Sequence, residues 1–310
     1  MTIDASLQPY LDTWKAAWQH MAPDAPISAR RAMLEKLATE ARKPLPDGVT
    51  SEVVTIEGGP RPVRVRLFRP TAPGLLPAMA YMHGGGWMQG SPETHDEIAA
   101  FIAAETGHLV ASVDYALAPE NPFPAAVEDC AAVVRWLFAQ AHALRVRPDA
   151  ISVGGDSAGA NLAASMTLMF RGTAQALRAQ VLFYPAVDFT HDRPSVRENA
   201  DGPIITAKSL PGTAALYLPD PADRTNPLAA PMLASDHAHL PPAYIAVAEH
   251  DPLRDEGKDY AAALRTAGVP VDLHDGKGLF HGYLRAMSLA AVAKAPLEQA
   301  CAWLKAQVAR

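Results

Sequence analysis

The spacing of apolar positions changes along the chain, and each change predicts a different kind of element. From about residue 7 to residue 42 the apolar side chains recur every three or four positions, which predicts helices. A proline-rich break follows, and across residues 53–67 apolar and polar positions alternate around a Gly-Gly-Pro turn. This alternation predicts an antiparallel β-hairpin.

Past Pro70, short apolar runs alternate with amphipathic helical patterns. The runs, each predicted as a strand, are 78–82, 109–113, 150–153, 181–184, 243–248 and 269–273. The main helical patterns cover 125–144, 158–170, 255–267 and 283–309. Because strands that alternate with helices usually form parallel crossovers, we predict an α/β fold. Its sheet should be mostly parallel, with about eight strands and helices on both faces.

Residues 188–240 interrupt this alternation. They contain many prolines, few strand signals and one helix-like stretch at about 210–217. An excursion of this length inside a compact fold commonly serves as a lid or as a wall of a substrate pocket. We therefore predict that the α/β domain comprises residues 46–187 and 241–310.

Composition and charge narrow the classes of function. The 310 residues are 49% hydrophobic and 19% charged, which is ordinary for a globular protein. The net charge is −6 and the basic residues are dispersed, so nucleic acid and an anionic membrane are disfavoured as partners. Cys130 and Cys301 lie in apolar helical patterns and are too few for a disulfide framework or a zinc cluster. No leader-like segment opens the chain and no apolar run of about 18 residues occurs, so we expect a cytoplasmic protein.

Gly155-Asp156-Ser157-Ala158-Gly159 matches the G-x-S-x-G pattern of a nucleophile elbow. A serine hydroxyl is a poor nucleophile unless it is exposed, held rigidly and adjacent to a base. A strand pattern precedes the motif and a helical pattern follows it, which is the context that the elbow requires. We therefore predict Ser157 as the nucleophile; the alternative is a turn that only connects a strand to a helix.

The strand at 78–82 ends in His83-Gly84-Gly85-Gly86-Trp87. Acyl transfer builds negative charge on a carbonyl oxygen, and each preorganised backbone N–H group stabilises that charge by about 3–4 kcal/mol. Consecutive glycines allow a close approach of the backbone, so we place an oxyanion hole at Gly84, Gly85, Gly86 and Ala158. A phosphate-binding loop is the competing interpretation, but neither G-K-[ST] nor G-x-G-x-x-G is present here. We expect His83 to orient the loop rather than to act as a base.

In folds with this elbow the catalytic acid and histidine follow the serine along the chain. Asp251 lies in the segment that follows the strand at 243–248, and His281 lies in the loop after the strand at 269–273. Because the carboxyl ends of parallel strands meet at one edge of the sheet, both should lie near Ser157. His281 would then exchange protons with Ser157 and the leaving group, while Asp251 would fix its tautomer. The competing candidates are His250, His274, Glu249 and Asp255.

Five motifs in this order together resemble the hormone-sensitive-lipase-like family of bacterial esterases. They are H-G-G-G-W at 83–87, D-Y-A-L-A-P-E at 114–120, G-D-S-A-G at 155–159, D-P-L-R-D at 251–255 and H-G-Y at 281–283. The resemblance covers nearly the whole chain. Two positions depart from it: Ala116 stands where the family often has Arg, and Ala160 where it often has Gly.

The resemblance implies an α/β-hydrolase fold with a helical cap made from residues 1–45 and 188–240. It implies hydrolysis of short- to medium-chain acyl esters through an acyl-enzyme, without a metal or an organic cofactor. A small-molecule ester is then the expected partner, and the chain would be a monomer or homodimer. Another acyl bond (an aryl amide, formamide or lactone) is the alternative substrate, and a non-catalytic receptor is a more distant alternative. The residues expected to line the pocket are Trp87, Tyr184, Leu210 and Phe280.

Overall fold

The structure is a computed structural model that describes residues 2–22 and 25–309. These residues form eight strands: β1 Val49–Ile56, β2 Val63–Pro70, β3 Leu76–Met82, β4 Leu109–Asp114, β5 Val146–Asp156, β6 Gln180–Phe183, β7 Ala243–Ala246 and β8 Val271–His274. They also form nine α-helices: α1 Gln8–Trp18, α2 Ile27–Ala41, α3 Asp96–Thr106, α4 Ala125–Ala139, α5 Ala158–Phe170, α6 Pro194–Glu198, α7 Leu210–Tyr217, α8 Arg254–Thr266 and α9 Ala291–Val308.

All eight strands lie in one sheet, in the order β1-β2-β4-β3-β5-β6-β7-β8. The strand β2 pairs antiparallel with both β1 and β4, and the remaining pairs are parallel. The β1–β2 hairpin is antiparallel because a short turn joins its strands, whereas parallel strands need a longer crossover connection. The predicted α/β fold with eight mostly parallel strands is therefore confirmed.

Helices cover both faces of the sheet, and the side chains of β3 show the two layers. Ala78, Ala80 and Met82 belong to one buried apolar cluster, together with residues of α4, α5 and α8. Met79 and Tyr81 point the opposite way, into a second cluster with residues of α3 and α9. Successive side chains of a strand face opposite sides of the sheet, so a strand covered on both faces is apolar throughout.

Several predicted helices were too long. The pattern at 7–42 divides into α1 and α2, and the pattern at 125–144 ends as a helix at Ala139. The pattern at 283–309 contains a 3₁₀ turn at Tyr283–Ala286 and then α9. Both of these segments are buried in the same apolar cluster, which makes their apolar pattern continuous although the helix is not. Burial, and not helical continuity, produced the longer pattern.

Residues 188–240 carry no strand in the structure. They hold α6, α7 and 3₁₀ turns at Pro221–Thr225 and Pro231–Leu233, and α7 coincides with the predicted helix at 210–217. No helix in the described ranges combines the length and the apolar character that crossing a bilayer needs. Cys130 and Cys301 are both buried free thiols, as the helical patterns around them predicted.

Candidate active site

Ser157 stands on the sharp turn between β5 and α5. Its backbone adopts φ 54° and ψ −119°, a strained conformation for a residue with a side chain. The turn also brings α5 against β3 so closely that a Cβ on Gly159 would collide with the backbone carbonyl of Met82. The glycine of the motif is therefore required by this contact, and the turn presents the serine above the sheet as a nucleophile elbow does.

The three predicted catalytic side chains meet at the carboxyl edge of the sheet. The Nε2 of His281 lies 2.8 Å from the Oγ of Ser157, and its Nδ1 lies 2.8 Å from the Oδ2 of Asp251. Asp251 is fully buried, and its other oxygen accepts a 2.8 Å hydrogen bond from the N–H of Leu253. A hydroxyl, an imidazole and a carboxylate thus form one continuous hydrogen-bonded chain, the arrangement that activates a serine.

The competing carboxylates are bonded elsewhere. Glu249 accepts a hydrogen bond from the N–H of Gly278 at 2.8 Å. Asp255 accepts one from the N–H of Ser195 at 2.8 Å and another from Arg254 at 2.8 Å. Within the described structure neither carboxylate is hydrogen-bonded to His281. The alternative histidine His274 is the last residue of β8, and His250 lies beside Glu249 with 3.9 Å between nitrogen and oxygen.

Of the three glycines predicted as oxyanion donors in the loop after β3, Gly85 and Gly86 line the same cavity as Ser157. They have φ of 138° and 62°, values that favour glycine. Among the described residues, the amides of Gly85, Gly86 and Ala158 have no hydrogen-bond acceptor. Ala158 is the first residue of α5, where an N–H has no partner within the helix. These three amides are available to an oxyanion.

Gly84 does not belong to this group, and its prediction as an oxyanion donor is wrong. Its N–H donates a 2.9 Å hydrogen bond to the Oδ1 of Asp156. A Cβ on Gly84 would also collide with that carboxylate, so the glycine serves the close packing between the loop and the elbow. The amide is consumed in holding the loop and is not free for a substrate.

Asp156 is the residue that the sequence analysis left without a role. Its buried carboxylate also accepts hydrogen bonds from the hydroxyls of Tyr81 at 2.9 Å and Tyr184 at 3.3 Å, and the Nε2 of His95 lies 3.3 Å away. Burial alone would raise the pKa of Asp156, but the facing His95, the charge of Arg285 and the hydroxyl of Tyr81 hold it well below its usual range. The ionised carboxylate therefore joins the nucleophile turn to the glycine loop.

His83 lies beneath the loop and is fully buried. Its ring stacks on Tyr115 at 4.2 Å between centroids, its Nδ1 lies 3.0 Å from the carbonyl of Gly84, and the Tyr115 hydroxyl donates to the His83 carbonyl at 2.6 Å. Burial and the neighbouring His95 lower the pKa of His83 to about 3. A neutral, enclosed imidazole of this kind orients the loop, in agreement with the expectation.

The cavity at Ser157, the catalytic cavity, has a volume of about 120 Å³. Trp87, Tyr184 and Leu210 line it, together with Trp14 of α1. The fourth predicted lining residue, Phe280, is misplaced in the prediction. It is fully buried in the second apolar cluster and stacks on Tyr10 at 5.9 Å. Neighbouring residues of an extended segment point to opposite sides, so Phe280 points away from the cavity that its neighbour His281 lines.

Arg31 of α2 connects the N-terminal helices to the glycine loop, and no local sequence signal indicated it. Its guanidinium donates to the carbonyls of Met88 at 2.7 Å and Ala118 at 2.9 Å. It also forms a bidentate ion pair with Glu120, at 2.9 and 2.7 Å. The helix α2 thereby holds the segment that follows the glycine loop through these hydrogen bonds.

The departure at Ala116 has a structural counterpart. The N–H of Ala116 donates to the carboxylate of Asp129 at 2.8 Å, and that carboxylate pairs with Arg61 at 2.7 Å. A guanidinium from another part of the chain thus supplies positive charge next to this turn. Ala160 is fully buried in the first turn of α5.

The elbow, the sheet order and the hydrogen-bonded chain define a hydrolase of the α/β-hydrolase fold. The sequence model of that family, described as alpha/beta hydrolase fold, matches residues 79–285, and the chain belongs to the family. Within it, the chain is one of the hormone-sensitive-lipase-like carboxylesterases.

Individual relatives are similar over most of their length. The carboxylesterase NlhH of Mycobacterium tuberculosis is 38% identical, over 91% of this chain and 89% of that protein. Ethyl acetate hydrolase of Pseudomonas putida is 37% identical, over 84% of each chain. The solved structure of a hyperthermophilic esterase from the archaeon Pyrobaculum calidifontis has a TM-score of 0.90 and 36% identity, over 100% of both chains.

Proposed function

We propose that this protein is a serine carboxylesterase with Ser157 as nucleophile, His281 as general base and acid, and Asp251 as the group that orients it. The observation that carries the proposal is the chain of two 2.8 Å contacts from Ser157 through His281 to Asp251. Unpaired backbone amides adjoin the serine, so both the nucleophile and the site for the developing charge are preorganised.

The reaction follows from these positions. The Oγ of Ser157 attacks the ester carbonyl while the Nε2 of His281 takes its proton, and the carbonyl oxygen becomes an oxyanion. The amides of Gly85, Gly86 and Ala158 donate hydrogen bonds to that oxygen. Collapse of the intermediate breaks the ester C–O bond, and His281 gives its proton to the leaving alcohol. Water then attacks the acyl-enzyme by the same steps, releasing the acid and restoring the serine.

The size of the catalytic cavity favours a short acyl chain. Its volume of about 120 Å³ lies below the roughly 300–1,000 Å³ that is usual for drug-sized ligands. Trp87 and Leu210 contribute large side chains to its wall. The similarity to ethyl acetate hydrolase, a protein named for a two-carbon acyl ester, points to the same size class.

We further propose that residues 1–45 and 188–240 act together as the cap over this cavity. Trp14 comes from the first segment, and Leu210 and Thr213 come from the second, and all three line the cavity with Ser157. Side chains from two segments distant in sequence thus close the cavity opposite the elbow. Such a cap sets the shape of the pocket and therefore the preferred ester.

Titration with diethyl p-nitrophenyl phosphate tests the mechanism directly. We expect one p-nitrophenolate released per chain from the wild type and none from Ser157→Ala, with the adduct located on Ser157 by mass spectrometry. A receptor-like protein would not be labelled stoichiometrically, and an adduct on another residue would contradict the assignment.

The acyl preference is tested with p-nitrophenyl acetate, butyrate, octanoate and palmitate. We expect kcat/KM to be highest for acetate or butyrate and to fall with longer chains, because the cavity is small and large side chains such as Trp87 form its wall. A maximum at palmitate would refute the proposed chain length while leaving the serine mechanism intact.

A further inference from the structure

A second cavity adjoins the catalytic cavity. It has a volume of about 570 Å³ and lies between the N-terminal helices and α3; we call it the N-terminal cavity. Its wall includes Tyr10, Leu37, Phe101 and Met287. Trp14 and Arg285 line both cavities, so these two residues stand where the cavities meet.

Arg285 is half-buried, and several of the other half-buried arginines have a carboxylate beside them. Arg66, Arg193 and Arg254 each have a carboxylate oxygen within 3.3 Å. No such ion pair is formed by Arg285 within residues 2–22 and 25–309. Its Nε is buried without a hydrogen-bond partner, and its Nη1 lies 3.7 Å from the place that a Cβ on Gly282 would take. The guanidinium therefore stands directly beside the segment that carries His281.

The groups that face Arg285 are mainly hydroxyls. They are the phenols of Tyr10, Tyr81 and Tyr184, of which Tyr10 accepts a hydrogen bond from Arg285, and the carboxylate that acts on it most strongly is that of Asp156. That carboxylate already accepts hydrogen bonds from two of these tyrosines and from the N–H of Gly84. It balances part of the positive charge from a distance, but it does not occupy the N–H donors of Arg285.

A guanidinium whose Nε is buried without a partner is well suited to an anion. Removing a cation from water without full compensation is costly, and a carboxylate or phosphate that forms two parallel hydrogen bonds offsets the cost. The planar fork of arginine matches such a group better than an ammonium does. The position therefore favours a ligand that carries its own negative charge.

We propose that Arg285 binds an anionic group of the ester, so that the preferred substrates are monoanionic carboxylic esters. The inference rests on the proposed esterase function, because Arg285 acts on an ester only if Ser157 reacts in the same cavity. The bound anion lies on either the acyl part or the alcohol part of the ester, and the chemistry of recognition is the same. The N-terminal cavity then accommodates what extends beyond the arginine.

Two pairs of esters that differ in one charge test this proposal. Monoethyl and diethyl adipate place the carboxylate on the acyl side, and 4-acetoxybenzoate and its methyl ester place it on the alcohol side. For each pair we define the discrimination ratio as kcat/KM of the anionic ester over that of the neutral one, measured by pH-stat at pH 7.5. The ratio cancels any general loss of activity.

In Arg285→Met we expect the discrimination ratio of one pair to fall about ten- to hundredfold, the loss typical of a hydrogen bond to a charged group. Arg285→Lys should recover part of the ratio, because it restores the charge without the planar fork. The matched control is Lys294→Met, which removes a charge from the wall of the N-terminal cavity. Lys294 already pairs with Glu298 at 3.0 Å, so the discrimination ratio of Lys294→Met should stay at the wild-type value.

A second measurement needs no variant. Two pairs of inhibitors are compared on the wild type: adipate with hexanoate, and 4-hydroxybenzoate with its methyl ester. In at least one pair, the first compound should have a dissociation constant at least tenfold lower than the second. If the ratios in Arg285→Met stay within twofold of wild type, or if neither inhibitor is favoured, the role of Arg285 is refuted. If the wild type hydrolyses none of the four esters, the esterase proposal itself fails, which is a distinct result.

Discussion

Replacing Asp251 by Asn removes one negative charge from the buried end of the hydrogen-bonded chain and leaves its shape unchanged. One oxygen of Asp251 accepts from the N–H of Leu253 at 2.8 Å, and the other faces the Nδ1 of His281 at 2.8 Å. In Asp251→Asn the amide oxygen must keep the Leu253 contact, because that partner is a donor. The amide NH₂ then faces His281, which forces the proton onto Nε2.

A histidine protonated at Nε2 cannot take the proton of Ser157. The variant therefore reacts only through the rare tautomer, and it also lacks the charge that stabilises the imidazolium. Substitutions of this kind in serine hydrolases lower kcat by about 10⁴-fold, which corresponds to roughly 5.5 kcal/mol of transition-state stabilisation. We expect a loss of that order here, because Asp251 is fully buried and water cannot replace its charge.

The assay measures kcat for the hydrolysis of p-nitrophenyl butyrate. The midpoint of thermal unfolding is measured in parallel to show that the variant is folded. Asp255→Asn and Glu249→Gln are matched controls, since each removes one carboxylate charge within four residues of Asp251. Their carboxylates bond Ser195, Arg254 and Gly278 instead of the histidine. A loss below tenfold in Asp251→Asn, or an equal loss in a folded Asp255→Asn, would refute the assignment of the acid.

Three further changes test the surroundings of the site. Asp156→Asn should lower kcat on p-nitrophenyl butyrate by at least tenfold, because an amide nitrogen would meet the donors that hold the glycine loop; unchanged kcat in a folded variant contradicts this. Arg31→Met should lower kcat about three- to tenfold, because the contact with Met88 is lost. Glu120→Gln loses only an exposed ion pair and should lower kcat by less. Equal losses of kcat in the two variants would show that Arg31 acts through the ion pair. Burial, followed by the charge of Asp188, raises the pKa of Glu256 to about 8. The protonated group stabilises the fold fully below about pH 4.5, and this stabilisation is lost as the pH rises through 8, so Glu256→Gln should flatten the fall in unfolding free energy over that range; parallel urea-denaturation profiles would contradict it.

The order of motifs along the chain was sufficient to predict the fold. It also led to the prediction of Ser157, Asp251 and His281 as the catalytic residues. Short apolar runs that alternate with helical patterns allow few sheet topologies, and the carboxyl ends of parallel strands share one edge. Asp251 and His281 were therefore predicted from the strands they follow. The structure brings both to Ser157, although His250, His274, Glu249 and Asp255 offer the same chemistry nearby.

The errors and omissions arise where a contact joins segments far apart in sequence. Whether the amide of Gly84 points at a substrate or at a protein group depends on Asp156, 72 positions later. Phe280 and His281 are adjacent, yet one is buried in the core and the other faces the cavity, which composition does not indicate. Arg285 lies in a short turn whose pattern resembles any amphipathic segment, so its missing carboxylate is visible only in three dimensions.

Asp156 joins the proposed nucleophile to the proposed oxyanion site through hydrogen bonds. Ester hydrolysis requires the serine oxygen and the amide donors to meet the same carbonyl group, and misplacement by about 1 Å can cost a hundredfold in rate. The proposed donors Gly85 and Gly86 belong to a loop after β3, whereas Ser157 follows β5. The carboxylate next to the serine bonds the first amide of that loop at 2.9 Å, so motion of the elbow carries the loop with it. The charge at the second position of G-D-S-A-G thus has a geometric task, which a neutral residue of similar size cannot perform against three donors.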